Sequence, residues 1–171
     1  MPDFLTELAN AKAANPDWDP IVYITSSCAS PLILGAAGAA ADGLYTSASM
    51  GLQDIGNPEV QAQPAIADYI AIMEEQGLGD IITTGASGWN IAEVTVEILR
   101  QAAESPDGLT QASIMNVSRN LDFVPSLVRE GVVYTMSGEQ DAVYSDDIQV
   151  IQYDAEAMYF TDIGEIISFG S

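Results

Sequence analysis

The chain has 171 residues, and 25 Asp and Glu against four Lys and Arg leave it a formal charge of −21. Nucleic acid and anionic membrane surfaces are recognised by clustered cations, so this balance argues against both as partners. With no His and a single Cys, imidazole ligation of metals, a Ser-His-Asp triad, a Cys-His dyad and an intrachain disulfide are excluded as well. Hydrophobic residues make up 48% of the chain, enough for a substantial core rather than an acidic disordered tail.

In chain order, Asp3 is placed to cap a first helix with Phe4, Leu5, Leu8 and Ala11 on one face, and Asn15-Pro16 ends it. Asp3 and Glu7, with no basic region ahead of an apolar core, are not the pattern of a signal peptide. Pro20-Ile21-Val22-Tyr23-Ile24-Thr25 reads as a strand too continuously apolar for a half-wet sheet. The uncharged run from Pro20 to Ala41 is interrupted by Thr25, Ser26, Ser27 and Ser30-Pro31. It is therefore expected to be strand, turn and small-residue helix instead of a membrane span. Ser30-Pro31 is a cap-then-proline start for a helix over Leu32 to Ala41, and Gly43 to Ala48 is the next strand. This β–turn–α–β unit predicts parallel strand pairing. Ser49 to Gly56 is an irregular connector, after which Asn57-Pro58-Glu59 opens a helix carrying Ile66, Tyr69, Ile70 and Met73 and stopped by Gly77. Pro64 either kinks that helix or marks its true start.

The stretch from Gly85 to Arg100 organises the middle of the chain. Gly85-Ala86-Ser87-Gly88 reads as a polar turn opening a helix that begins at Trp89. Trp89, Ala92, Val96 and Leu99 form one apolar stripe, and Ile91, Val94, Ile98 and Ala102 a second, so the helix is expected to pack on two sides. The turn at its N-terminus, with Ser87, is a candidate anion site because unpaired N–H groups point outward there. It lacks the G-x-S-x-G spacing of a nucleophile elbow, and no D-x-[DN]-x-[DN]-G loop occurs. Thr110 caps a further helix carrying Ile114, Met115 and Val117. Ile148 to Tyr153 and Met158 to Thr161 are strand-like around a four-residue turn, Asp154 to Ala157, which predicts a hairpin.

Taken together, the order of these elements resembles the C-terminal half of type I periplasmic binding proteins. The residues that carry the resemblance are the Ser-rich turn, Gly43-Leu44-Tyr45-Thr46, Asn57-Pro58-Glu59, Gly88-Trp89-Asn90-Ile91-Ala92 and the hairpin around Tyr153-Asp154-Ala155. Within that group the chain is most similar to the branched-chain amino-acid (Leu/Ile/Val) substrate-binding proteins of ABC transporters. The resemblance implies an α/β fold with parts of two Rossmann-like lobes joined by hinge strands and a C-terminal β-hairpin. Residues 1–45 and 136–171 would belong to lobe 2 and residues 51–125 to lobe 1, with hinge segments at 46–50 and 126–135.

By the same resemblance the function is capture of a small polar solute by cleft closure, with an ABC permease and a missing N-terminal half as partners. The setting is extracytoplasmic, periplasm or cell-surface lipoprotein, where the full-length gene carries a signal. Trp89 matches an aromatic that lines the cleft from lobe 1. Ser26 and Ser27 form the lobe-2 turn, and Ser27 falls where the family often presents an acid to a ligand ammonium. The implied solute is accordingly a branched-chain amino acid, an amide or a urea-like molecule. Ligand-binding residues are thus Trp89, Ser26, Ser27 and Ser87, with no catalytic residue, metal or cofactor and no direct membrane insertion. The alternatives are a ligand-sensing receptor domain of the same fold or, more remotely, a carboxylate-site enzyme or calcium-dependent binder.

Overall fold

The computed structural model describes residues 2–138 and 143–169; of the expected lobe-2 tail, 139–142 and 170–171 lie outside the described residues. The chain groups into two compact units. The first comprises Met1–Ser49, Gly56–Pro58 and Ile148–Ile167, and the second Met50–Ile55, Glu59–Asp147 and Ser168–Ser171.

Unit 1 is built on a three-stranded sheet of order β1 (Tyr45–Ser47), β4 (Asp147–Asp154), β5 (Tyr159–Ser168). β1 runs antiparallel to β4 with Thr46 opposite Ile151. The predicted strand before it reduces to one parallel bridge, Tyr23 to Tyr45, closed by Ile24 N–H on Tyr45 O and Tyr45 N–H on Val22 O, both at 2.9 Å. Parallel pairing, the expectation from the β–turn–α–β pattern, is therefore present, but short. Helices α1 (Pro2–Ala14) and α2 (Pro31–Ala37) pack on each other and on one face of the sheet, where Leu5, Leu34, Leu44, Ile151 and Tyr153 make a core. Ser30 starts α2 as its composition predicts, its Oγ accepting from Ile33 N–H at 3.2 Å.

The expectation of burial on both faces does not hold for the Pro20–Thr25 segment. Ile24 is buried, whereas Ile21 and Tyr23 are 85% and 56% exposed. Period-two alternation turns these two away from the side on which Ile24 joins the core. The hairpin forms where expected: Asp154 Oδ1 accepts from the Glu156 and Ala157 N–H groups, and Met158 N–H returns to Asp154 O at 2.8 Å.

Unit 2 is mostly helical. α3 (Pro58–Gln61) and α4 (Pro64–Glu75) are separate, so Pro64 marks a true start: its missing N–H costs nothing in the first turn. α5 (Ile82–Glu104) and α6 (Gln111–Ser118) follow, with Thr110 and Ser113 forming a reciprocal cap on α6. β2 (Asp122–Phe123) and β3 (Tyr134–Thr135) pair antiparallel. The core joins Ile55, Ile66, Tyr69, Met73, Ala86 and Leu127.

Here α5 overturns two expectations. It begins at Ile82, so Gly85–Gly88 lies inside the helix and is not an N-terminal turn, and the anion site proposed there has no geometric basis. Close packing explains the glycine at 85: a Cβ there would sit 2.7 Å from Met73 Cε and 2.9 Å from Tyr69 Oη, so glycine is what lets α5 approach α4. The helix is also covered on one side only, since Ile91, Val96 and Leu99 are exposed.

Where unit 2 begins, Met50 (φ 56°, ψ 25°) and Gly51 (φ 61°) are both left-handed. A Cβ on Gly51 would lie 2.7 Å from Val132 Cγ1. Gly51→Ala is therefore expected to cost about 1–2 kcal/mol, from the positive φ and the contact together, read as a lowered urea midpoint. An unchanged midpoint would show that the turn opens at little cost.

Candidate functional site

The candidate residues fall in two places, each built by its own unit. In unit 1, Ser26 and Ser27 sit on a single 3-10 turn, Ser26–Cys28, at the end of the Tyr23–Ile24 segment. The turn is closed by backbone alone: Cys28 N–H donates to Thr25 O at 2.9 Å and Ala29 N–H to Ser26 O at 3.1 Å. Ser26 is half-buried and Ser27 exposed, leaving the Ser27 hydroxyl presented outward by a fixed backbone. The same unit holds a cavity of about 250 Å³ between α1 and the Gly43–Tyr45 segment, lined by Leu5, Lys12, Asp19, Tyr45 and Gln152 among others. Its Lys12 is paired with Asp19 at 2.7 Å, so the ammonium is already neutralised.

In unit 2, Ser87 and Trp89 both lie on α5, two residues apart and thus about 200° apart around the helix. They do not share a face. The Trp89 ring packs edge-to-face on Tyr69, with centroids 5.2 Å apart and planes at 71°. Tyr69 is held in turn by donating to Ile82 O at 2.6 Å, and burial pushes its own pKa up. The Trp89 Nε1 is buried and finds no acceptor among the described residues.

Beside the indole runs an open groove of about 340 Å³, lined by Trp89, Ala92, Glu93, Val96, Glu97 and Phe123. Its two carboxylates are engaged. Glu93 accepts from Ser126 N–H at 2.8 Å and Ser126 Oγ at 2.6 Å. Glu97 accepts from Arg100 Nη2 and Nε at 2.7 and 3.0 Å and from Gln101 Nε2 at 2.8 Å, and these bonds, Arg100's foremost, lower its carboxyl to about 2. The groove thus offers an apolar wall with a fixed acidic rim.

Phe123, Glu93 and Val96 are groove residues that sequence reasoning did not single out as site residues. A second omission is a buried polar chain in unit 2. Asn90 Nδ2 donates to Tyr134 Oη at 2.7 Å, and Tyr134 donates to the Met50 carbonyl at 2.6 Å. Burial pushes the Tyr134 phenol to about 12. The legible signal was an asparagine placed between Trp89 and Ile91 in a helix otherwise rich in apolar residues. Among the described residues no cluster of three or more His, Cys, Asp or Glu could hold a metal ion, and no helix is long and apolar enough to cross a membrane.

No protein-family model matches the sequence, and no curated protein is similar to it. Solved structures are similar. A branched-chain amino-acid ABC transporter protein from Thermus thermophilus, with bound valine, superposes with a TM-score of 0.72 at 16% identity, over 98% of this chain and 43% of its own. The leucine-binding protein LivK from Thermotoga maritima superposes at 0.53 with 11% identity, over 99% of this chain and 43% of its own.

The fold is that of a type I periplasmic binding protein. At these identities the likeness establishes the type I fold and not the ligand. The chain spans less than half the length of either type I structure, so much of that fold has no counterpart here.

Proposed function

We propose that this chain carries part of the solute site of an extracytoplasmic ABC-importer binding protein. The observation that supports this reading is the likeness over 98% of the chain to a type I structure holding valine. The solute is a small molecule with one apolar end, a branched-chain amino acid or a related amide. Trp89 supplies an apolar wall in unit 2, with Phe123 beside it, and the Ser26–Ser27 turn of unit 1 is a second, separate candidate whose hydroxyls can satisfy polar groups. Ser87, on the other side of α5 from Trp89, has no part in this site. Closure of the two lobes on the solute would then present the form that docks on a permease, with differential binding to the closed form supplying the free energy.

Valine is the probe. In a Trp18→Phe background only Trp89 fluoresces, and titrating valine should shift its emission saturably. Trp89→Leu in the unaltered background is expected to weaken binding by at least about tenfold, about 1.4 kcal/mol, measured by calorimetry. A flat emission titration, or an unchanged dissociation constant in the Trp89→Leu variant, would remove Trp89 from the site.

A further inference from the structure

Charge in the groove beside Trp89 is not balanced. Glu97 is matched by Arg100, whose guanidinium also reaches Glu104 at 2.8 Å, so that cation is already shared between two acids. Glu93 differs. Its two partners, the Ser126 N–H at 2.8 Å and the Ser126 Oγ at 2.6 Å, are both neutral. No Lys or Arg lines the groove, and among the described residues Glu93 has no ion-pair partner. Glu93 lies four residues after Trp89 and three before Val96, which puts all three side chains on one face of α5.

Ser126 takes one lone pair from each Glu93 oxygen, and a carboxylate offers about four such sites, so both oxygens keep acceptor capacity. The two bonds reach across 33 positions of chain and fix a side chain that is otherwise long and rotatable. A carboxylate held in this way has its ordering cost met before any ligand arrives. The segment that supplies Ser126 also supplies Phe123, so one stretch of chain builds both the clamp and an apolar wall.

We infer that this groove takes a branched aliphatic ammonium ion, with Glu93 as its counter-ion and Trp89, Val96 and Phe123 around its hydrocarbon part. This deepens the solute reading above and rests on it in taking Trp89 as a wall of the site. An ammonium head has three N–H donors and no acceptor, the complement of a fixed carboxylate with free lone pairs. A carboxylate head meets the opposite: two acids, no cation lining the groove, and a chain charge of −21 that repels anions. An amino acid therefore enters by its amine with its carboxylate left outside the groove, and an amine lacking that carboxylate fits better. A neutral alcohol of the same shape keeps the apolar contacts and loses the charge-assisted bond.

The test uses three four-carbon probes that share one branched shape: isobutylamine, isobutanol and isobutyrate. Each is titrated at neutral pH into chain 1–171 in the Trp18→Phe background and read by Trp89 emission. Isobutylamine should bind at least tenfold more tightly than either of the others. Equal affinity for the amine and the alcohol, or tighter binding of isobutyrate, would overturn the inference, and this arm needs no change at Glu93. Glu93→Gln should weaken isobutylamine at least tenfold and leave isobutanol within twofold. Equal losses for the amine and the alcohol would make Glu93 a loop anchor alone.

Because losing the tie to Ser126 can loosen the fold, Ser126→Ala is measured in parallel, with far-ultraviolet circular dichroism on both variants. It removes the Oγ bond, keeps the charge, and should keep the preference for the amine; loss of that preference would count against Glu93. Saturable valine binding with no response to isobutylamine would overturn the amine site and leave the reading of Trp89 standing. Glu93-dependent isobutylamine binding with no response to valine would reject the amino-acid solute and leave the amine site. Silence of every probe would reject both.

Discussion

Tyr69→Ala is expected to cost unit 2 about 3–5 kcal/mol, the range for deleting a fully buried aromatic side chain. Tyr69 is 1% exposed and stands between α4 and α5, with Ile66 and Met73 on its own helix and the Trp89 ring across from it. Its hydroxyl also closes the α5 N-terminus through Ile82 O. Tyr69→Phe keeps the ring and removes only that bond, for a loss of about 1 kcal/mol. Urea unfolding followed by Trp89 emission in a Trp18→Phe background reports on unit 2 alone. Near-equal losses in the two variants would mean that the hydroxyl, and not the packing of the ring, holds α4 to α5. A loss under about 1 kcal/mol in Tyr69→Ala would mean that neighbouring side chains collapse into the space.

The same region shows what could be read from the sequence. The stripe Ile66, Tyr69, Ile70 and Met73 is a strong 3.6-residue period, and it correctly gave a helix whose inner face became core. The cap-and-proline pair Ser30-Pro31 and the Asp154–Ala157 turn were legible for a similar reason: each is local chemistry satisfied within a few residues. The type I fold was legible through the order of such elements.

What was not legible depended on packing from distant positions. Gly85 and Gly88 look like a turn in isolation, and only the approach of Tyr69 and Met73 shows that Gly85 belongs inside a helix. The apolar run at Ile21 and Tyr23 carries the signature of burial on both faces, but a covering layer must come from elsewhere in a fold, and no local pattern reports whether it is present. The lining of the groove by Phe123 joins residues more than thirty positions from Trp89, and no spacing rule connects them.

Tyr134→Phe tests the buried polar chain at the start of unit 2. The phenol is 1% exposed and has a single proton, which it gives to the Met50 carbonyl at 2.6 Å, so Asn90 must be the donor to its oxygen. Removing the hydroxyl leaves the Met50 carbonyl and the Asn90 amide without this partner in a dry site, at an expected cost of about 1–3 kcal/mol. Asn90→Ala should cost a similar amount, and the double variant less than the sum, because both changes break one chain of bonds. Additive losses would show that Asn90 and Tyr134 are held independently.

The alkaline limb gives an independent reading. Burial raises the folded phenol to about 12 from its ordinary value of 10.0, so its contribution is fully present below pH 10. Above that, the unfolded chain releases the proton while the folded chain keeps it, and stability falls as pH climbs towards 12. The difference between the wild-type and Tyr134→Phe unfolding free energies should therefore shrink between pH 10 and 12, with the other tyrosines cancelling in the subtraction. A pH-independent difference would place the phenol in a wetter setting. It would also leave the left-handed Met50–Gly51 turn to be held by Arg129, whose backbone N–H donates to Gly51 O at 2.9 Å and whose guanidinium donates to Leu52 O.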